Sequence, residues 1–223
     1  MKTAARTAAP GAALAANSWF AGLPKEVVGR VAALAVERRY ADGQRIHAAG
    51  DLPDGLYGLI RGRVRITHLA ADGRELLLTQ FEPGAWWGEI SMFDGEPRTH
   101  DAHAVGECTV LLVPREKFHA LLEREPALYP HFVKMLCGKL RLAMHYIEDA
   151  MFLPLSARLA KRLLELHDLA LPQDDLARML GASRQSISKE LKALKARKIV
   201  ALRYGRVEIL DRPALARAAA EFG

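Results

Sequence analysis

The chain has 223 residues, 50% of them apolar and 26% charged, with a formal net charge of +6. This is globular composition, long enough for two modest cores, and it excludes a collagenous or disordered chain. Two cysteines are too few for a disulfide framework, and no run approaches the eighteen or so apolar residues of a membrane span, so a reducing cytoplasm is the expected compartment.

The opening "MKTAARTAAPGAALAANS" starts basic, but Arg6 and Pro10 stand where a secretion signal needs an apolar segment, and residues 1–18 are expected to be a disordered tail. Residues 19–125 read as one domain. A short helix places Val27, Val31 and Leu34 at helical spacing, and alternating strands follow, broken at Gly62. Asp72-Gly73 suits a tight hairpin, so strands near 63–70 and 74–82 should pair antiparallel within a small sandwich or barrel. Trp19, Trp86 and Trp87 are expected to pack around it.

The pattern changes after Pro114, which sits at the expected first position of a helix carrying Phe118, Leu121 and Leu122. A long helix is predicted over 126–152, following Leu128, Phe132, Met135, Leu136, Leu140, Ala143, Ile147 and Ala150. Phe132, Val133, Leu142, Met144, Tyr146 and Met151 widen its apolar stripe. One face is then expected to meet a second copy, giving a homodimer through residues 126–152. His145 and Tyr146 are expected in the core. "FLPLS" ends the helix in a hinge by 153, Pro154 breaking it and Ser156 capping the next helix.

Residues 154–223 hold 14 Lys+Arg against 8 Asp+Glu, while residues 1–153 hold 18 of each, so the whole excess belongs to the last third. A concentrated positive field points to double-stranded DNA. Residues 173–180 form a predicted helix, Gly181 a turn, and Ser183 the cap of a second helix whose Ile187, Leu191 and Leu194 face inward. Arg184, Gln185, Ser188, Lys189 and Lys192 lie opposite, as on a helix inserted into the major groove. Arg184 suits a guanine edge and Gln185 an adenine edge. Lys189 suits guanine or phosphate, and Ser183 suits phosphate. "IVALRYGRVEI" reads as two strands around Tyr204-Gly205, a wing offering Arg203 and Arg206.

The order of roll, long helix, hinge and winged helix-turn-helix, with "GEISMFDGEPRT" and "GASRQSISKELKAL", resembles the CRP/FNR family of bacterial transcription regulators over nearly everything after residue 18. The resemblance implies an α+β fold: an N-terminal antiparallel β-roll, cupin-like, of the cyclic-nucleotide-binding type over 19–125, a dimerisation helix and hinge over 126–153, and a winged helix-turn-helix over 154–223. It implies a homodimeric DNA-binding regulator on near-palindromic operators, and RNA polymerase as partner if the protein activates. Gln185 and Lys189 replace a glutamate and an arginine of the family's cAMP receptor, so operator preference is expected to differ.

The same resemblance places Gly88, Glu89, Arg98 and Thr99 on a phosphate-binding cassette, Glu89 for a ribose hydroxyl, Arg98 and Thr99 for the phosphate of cAMP or cyclic di-GMP. His100 and Asp101 follow where the family has small or neutral residues, and Ala143 and Met144 stand where the cAMP receptor reads adenine. Three readings stay open: a cyclic-nucleotide site, a scaffold with Glu89 and Arg98 paired internally, or another effector such as haem, a redox signal or a metabolite. Two cysteines cannot supply the four thiolates of an iron–sulfur cluster. No nucleophile or nucleotide-hydrolysis motif occurs, so no enzymatic activity is expected. The enzymatic alternative is a metal-dependent cupin, for which Asp101 and His103 supply two of three needed ligands.

Overall fold

The computed structural model describes residues 24–166, 172–203 and 206–221; the expected tail, Trp19 and the wing tip Tyr204-Gly205 lie outside them. The chain divides into two compact units, one of residues up to 73 and 78–137, the other of 74–77 and 138–223.

The first unit opens with α1 (Lys25–Leu34), which buries Val27, Val28 and Val31. Strands β1 (Val36–Tyr40), β2 (Arg45–His47), β3 (Gly55–Leu69), β4 (Glu75–Phe81), β5 (Trp86–Trp87) and β6 (Asp101–Pro114) build one antiparallel sheet in the order β1-β6-β3-β4. β2 pairs with β6 and β5 with β3, and among the described residues no closed barrel forms. Helix α2 (Glu89–Asp94) lies between β5 and β6, and α3 (Arg115–Arg124) follows β6.

Two cores result. Leu59, Val64, Ile66, Ala102, Ala104 and Val110 fill one side of the strands; Val31, Leu56, Met92, Val113, Phe118 and Phe132 join the helices to the other. Trp86 and Trp87 are buried, as expected.

Gly62 does not break the strand. β3 runs through it with a register shift against β6, and its φ of 88° is the left-handed conformation that a bulge demands. Cys108 Sγ lies 2.5 Å from where a Cβ would stand, so glycine is also the residue that fits. Pro114 is the residue before α3, not its first turn.

The long helix starts as a 3-10 turn (Pro126–Leu128) and becomes α4 (Tyr129–Phe152). Phe132 is its one buried residue among those described. Val133, Leu140, Leu142, Met144, Ile147 and Met151 are half or more exposed, and Cys137 is exposed too. Val133, Cys137, Leu140, Met144, Ile147 and Met151 alternate four and three apart, the spacing of a coiled-coil seam. Tyr146 is not core: its ring lies 4.7 Å from the Arg162 guanidinium, and its hydroxyl donates to Glu165 at 3.2 Å. His145 is exposed against Glu148.

In the second unit, α5 (Leu155–Glu165) begins after Pro154, which occupies the cap position, and Ser156 lies inside the helix rather than capping it. Then come α6 (Gln173–Leu180), α7 (Arg184–Ala196), β7 (Val200–Arg203), β8 (Arg206–Ile209) and α8 (Arg212–Ala220). Leu159, Leu163, Leu176, Met179, Ile187, Leu191 and Leu215 form its core. β7 and β8 pair antiparallel from Val200↔Ile209 to Arg203↔Arg206. No helix among the described residues is long and apolar enough to cross a membrane.

Candidate anion cradle and nucleic-acid interface

The cradle forms where the loop after β5 turns into α2. Gly88 takes φ 95° at the helix cap, and a Cβ there would sit 2.5 Å from Nη1 of Arg98 and 3.1 Å from the Gly55 carbonyl. Glycine is required both by conformation and by the arginine beneath it.

Arg98 is 4% exposed. Its Nη1 donates to the Gly88 carbonyl at 2.9 Å; its Nη2 donates to the Gly55 carbonyl at 2.6 Å and to Asp54 Oδ1 at 2.8 Å. Its Nε is buried without a partner among the described residues. A buried guanidinium with one nitrogen wholly unpartnered suits an anion, because leaving its N–H unsatisfied costs free energy that an acceptor would recover.

The carboxylate that Arg98 pairs with is therefore Asp54, rather than the Glu89 that the scaffold reading, one of the three left open, would give it. Glu89 is itself buried, 4% exposed. Asp54 also accepts from the Tyr57 hydroxyl at 2.5 Å, and Arg98 lies 5.4 Å from the Tyr57 ring centroid. Tyr57 stacks on Trp87 at 5.3 Å, and Trp87 donates its indole N–H to Nε2 of His47 at 3.1 Å. Burial, then the nearby Arg98 charge, push the His47 pKa down to about 4. Burial and the Asp54 bond raise that of Tyr57.

Thr99 is exposed, its hydroxyl 2.7 Å from His100 Nδ1. Arg98 and Thr99 precede β6, so strand alternation does not separate Arg98 from Asp101. Asp101 Oδ1 accepts from the Ala49 amide at 3.1 Å, and Asp51 accepts from Ala48. The 48–51 loop is tied to the cassette by Gly50 N to the Arg98 carbonyl and Arg98 N to the Asp51 carbonyl. Burial, then His68, lower the His100 pKa. Ala143 and Met144 are exposed on α4. Among the described residues no three His, Cys, Asp or Glu side chains gather as metal ligands.

Sequence reasoning missed Asp54, Tyr57 and His47. The spacing in "DGLY" carries a weak signal, since an acid three residues before a tyrosine can accept its hydroxyl. The pairing of β5 with β3 and the ties between the 48–51 loop and Arg98 bring that pair to an arginine 44 positions later.

The second site is α7. Gly181 closes α6 in the left-handed conformation at φ 60°, and Ser183 Oγ accepts from the Ser186 amide at 3.1 Å, capping α7. Ile187, Leu191 and Leu194 are buried beneath it. Arg184, Gln185, Lys189 and Lys192 are exposed and Ser188 half-buried, so one face offers a row of donors beginning at the helix's own free amides. Arg184 Nε reaches Asp174 at 3.5 Å, both side chains more than half exposed, a pair too wet to hold the arginine against a stronger acceptor. In the wing, Arg203 pairs with Glu208 at 3.1 Å; the side chain of Arg206 lies outside the described set.

Residues 37–125 match the model of the cyclic nucleotide-binding domain, and residues 157–218 that of the Crp-like helix-turn-helix domain. The chain is 32% identical over 192 residues to the CRP-like cAMP-activated global transcriptional regulator of Mycobacterium tuberculosis, covering 79% of this chain and 85% of that one. It is 31% identical to the cyclic AMP receptor protein of Thermus thermophilus, covering 86% and 92%. Among solved structures, a CRP/FNR-family transcriptional regulator of Thermus thermophilus superposes with a TM-score of 0.70 at 25% identity, covering 84% of this chain and all of that one.

Proposed function

The chain belongs to the CRP/FNR family of transcription regulators, and from that premise we propose that it acts as a homodimer joined through residues 126–152, reading near-palindromic operators with the α7 helix of each copy. It is a DNA-binding transcription regulator with a cyclic-nucleotide-binding domain and a helix-turn-helix domain. The observation that carries the finer reading is the exposed row Arg184, Gln185 and Lys189 above the buried stripe Ile187, Leu191 and Leu194. Arg184 and Gln185 read base edges, Lys189 a base or phosphate, and Ser183 and Ser188 hold the backbone.

Two such helices about a two-fold axis fit half-sites about 34 Å apart, one duplex turn. Domain limits follow the function: a sensor roll over 19–125, the dimer helix over 126–153 and the reader over 154–223. The protein works in the cytoplasm, where its DNA is, and as an activator it would touch RNA polymerase. Selection of bound fragments from random duplex, with and without cAMP and cyclic di-GMP, tests this reading. Recovery of no shared two-fold motif would overturn it.

The effector is a cyclic nucleotide held by Gly88, Glu89, Arg98 and Thr99. Its support is the unspent Nε of Arg98 beside a positive-φ glycine, and relatives named for cAMP. A second reading, with another ligand or none, draws on Asp54 already neutralising Arg98 and on Ala143 and Met144 lacking hydrogen-bonding side chains. Calorimetry with cAMP and cyclic di-GMP separates them: the first requires saturable heat that Arg98→Ala removes.

A further inference from the structure

Asp54 carries a charge that the cradle does not need for binding an anion. Its Oδ1 sits 2.8 Å from Nη2 of the buried Arg98, and its Oδ2 takes the Tyr57 hydroxyl at 2.5 Å. Its backbone carbonyl is held by the Arg115 amide at 2.9 Å. Turning the carboxylate away would break two of these bonds at once, so it stays beside any anion that Arg98 receives.

We propose that Asp54 is the charge selector of the cradle, admitting the singly charged phosphodiester of a cyclic nucleotide and turning away the doubly charged phosphomonoester of the open nucleotide. This rests on the reading of Arg98 as the anion's partner. One guanidinium and one carboxylate leave the pair neutral. His47, linked to Tyr57 through Trp87, is held uncharged by burial and so adds nothing positive. An anion on the Nε of Arg98 and the carboxylate on its Nη2 share one guanidinium, which keeps the two charges within about 8 Å of each other. At an effective dielectric near 20, Asp54 then weakens binding by roughly tenfold or more for each negative charge the ligand carries, cancelling the attraction that Arg98 alone would add. The carboxylate's partial exposure, 52%, argues for the lower end. A phosphodiester brings one charge and a phosphomonoester nearly two at neutral pH.

The test is calorimetry of the full-length protein with cAMP and 5′-AMP. Asp54→Asn keeps the size of the side chain, with its Oδ1 accepting from Arg98 and its amide donating to Tyr57, and removes only the charge. The expected result is a cAMP-over-AMP affinity ratio about tenfold lower in D54N, mainly through gained AMP affinity, and retained in Asp54→Glu. An unchanged ratio in D54N while cAMP still binds overturns the selector and leaves the cyclic-nucleotide reading standing. Binding of either nucleotide only by D54N overturns the selector, which must admit cAMP in the wild type, and with it cyclic-nucleotide control. No binding by either protein overturns both. Should D54N melt at working temperature, Asp54→Ser removes the same charge in a smaller side chain.

Discussion

Trp87 donates its indole N–H to Nε2 of His47, which fixes the buried imidazole as the tautomer protonated on Nδ1. Adding a second proton at Nε2 would set donor against donor, and burial with Arg98 nearby penalises it further, so the folded pKa falls to about 4. The unfolded chain titrates near 6.5. Between these values the unfolded state binds a proton that the folded state refuses. Stability is therefore full above about 6.5 and is lost as pH falls toward 4, by about 3 kcal/mol from this group. His100, also shifted down, contributes in the same direction. Urea melts of wild type and His47→Gln between pH 4 and 7 should show a shallower acid loss in the variant; equal slopes would refute the assignment.

Gly88→Ala meets two obstacles, the left-handed backbone at φ 95° and the Arg98 guanidinium 2.5 Å from the new methyl. Gly43→Ala meets only the first, at φ 72° with nothing within 4 Å. Both should lose about 1 kcal/mol to backbone strain, with Gly88→Ala losing 1–3 kcal/mol more by displacing Arg98 from its carbonyls. Denaturant midpoints of the two variants check the difference, and only Gly88→Ala should also abolish nucleotide heat.

In mobility assays against a selected operator, Arg184→Ala should lose about 1–3 kcal/mol of discrimination at one base pair per half-site. Lys192→Ala, also exposed on α7 but further from its start, should weaken all duplexes alike. Ser183→Ala adds a stability cost of about 1 kcal/mol, because the Ser186 amide loses its acceptor. Equal discrimination by wild type and Arg184→Ala would remove the arginine from base reading.

The apolar row Val133, Leu140, Met144, Ile147 and Met151 on α4 is exposed within one copy. Leu140→Glu would place two carboxylates across the axis of a parallel pair, a repulsion added to lost burial. Sedimentation should find wild type dimeric and this variant largely monomeric, with operator affinity lowered because two half-sites are no longer bound as one unit. A dimeric Leu140→Glu protein would place the interface elsewhere.

What was legible in the residues was local. Helix 173–180, the Gly181 turn and the Ser183 cap occupy successive positions, each with its own backbone signature, and the structure places them there. Asp72-Gly73 likewise marked the β3–β4 connection, with Gly73 at φ 84°. What was not legible depended on partners distant in sequence. Tyr146 looked like core by its apolar ring, but it is spread over the Arg162 guanidinium sixteen residues later. One of the three open readings pairs Arg98 with Glu89, nine positions before it, yet the pairing of β5 with β3 and the ties of the 48–51 loop deliver Asp54 and two carbonyls instead. Periodicity reports which face a residue takes, not which neighbour it meets.

The row of cations on α7 has a thermodynamic consequence of its own. Each phosphate they neutralise frees condensed ions into bulk solution, so docking on a duplex is driven by the entropy of those ions and fades by about 0.9 decades of affinity per contact for each decade of added salt. The buried guanidinium of the roll has no such atmosphere to shed. Ionic strength therefore acts on this molecule as a dial connected to one end, loosening the hold of α7 on a duplex while leaving the internal bonds of Arg98 in place.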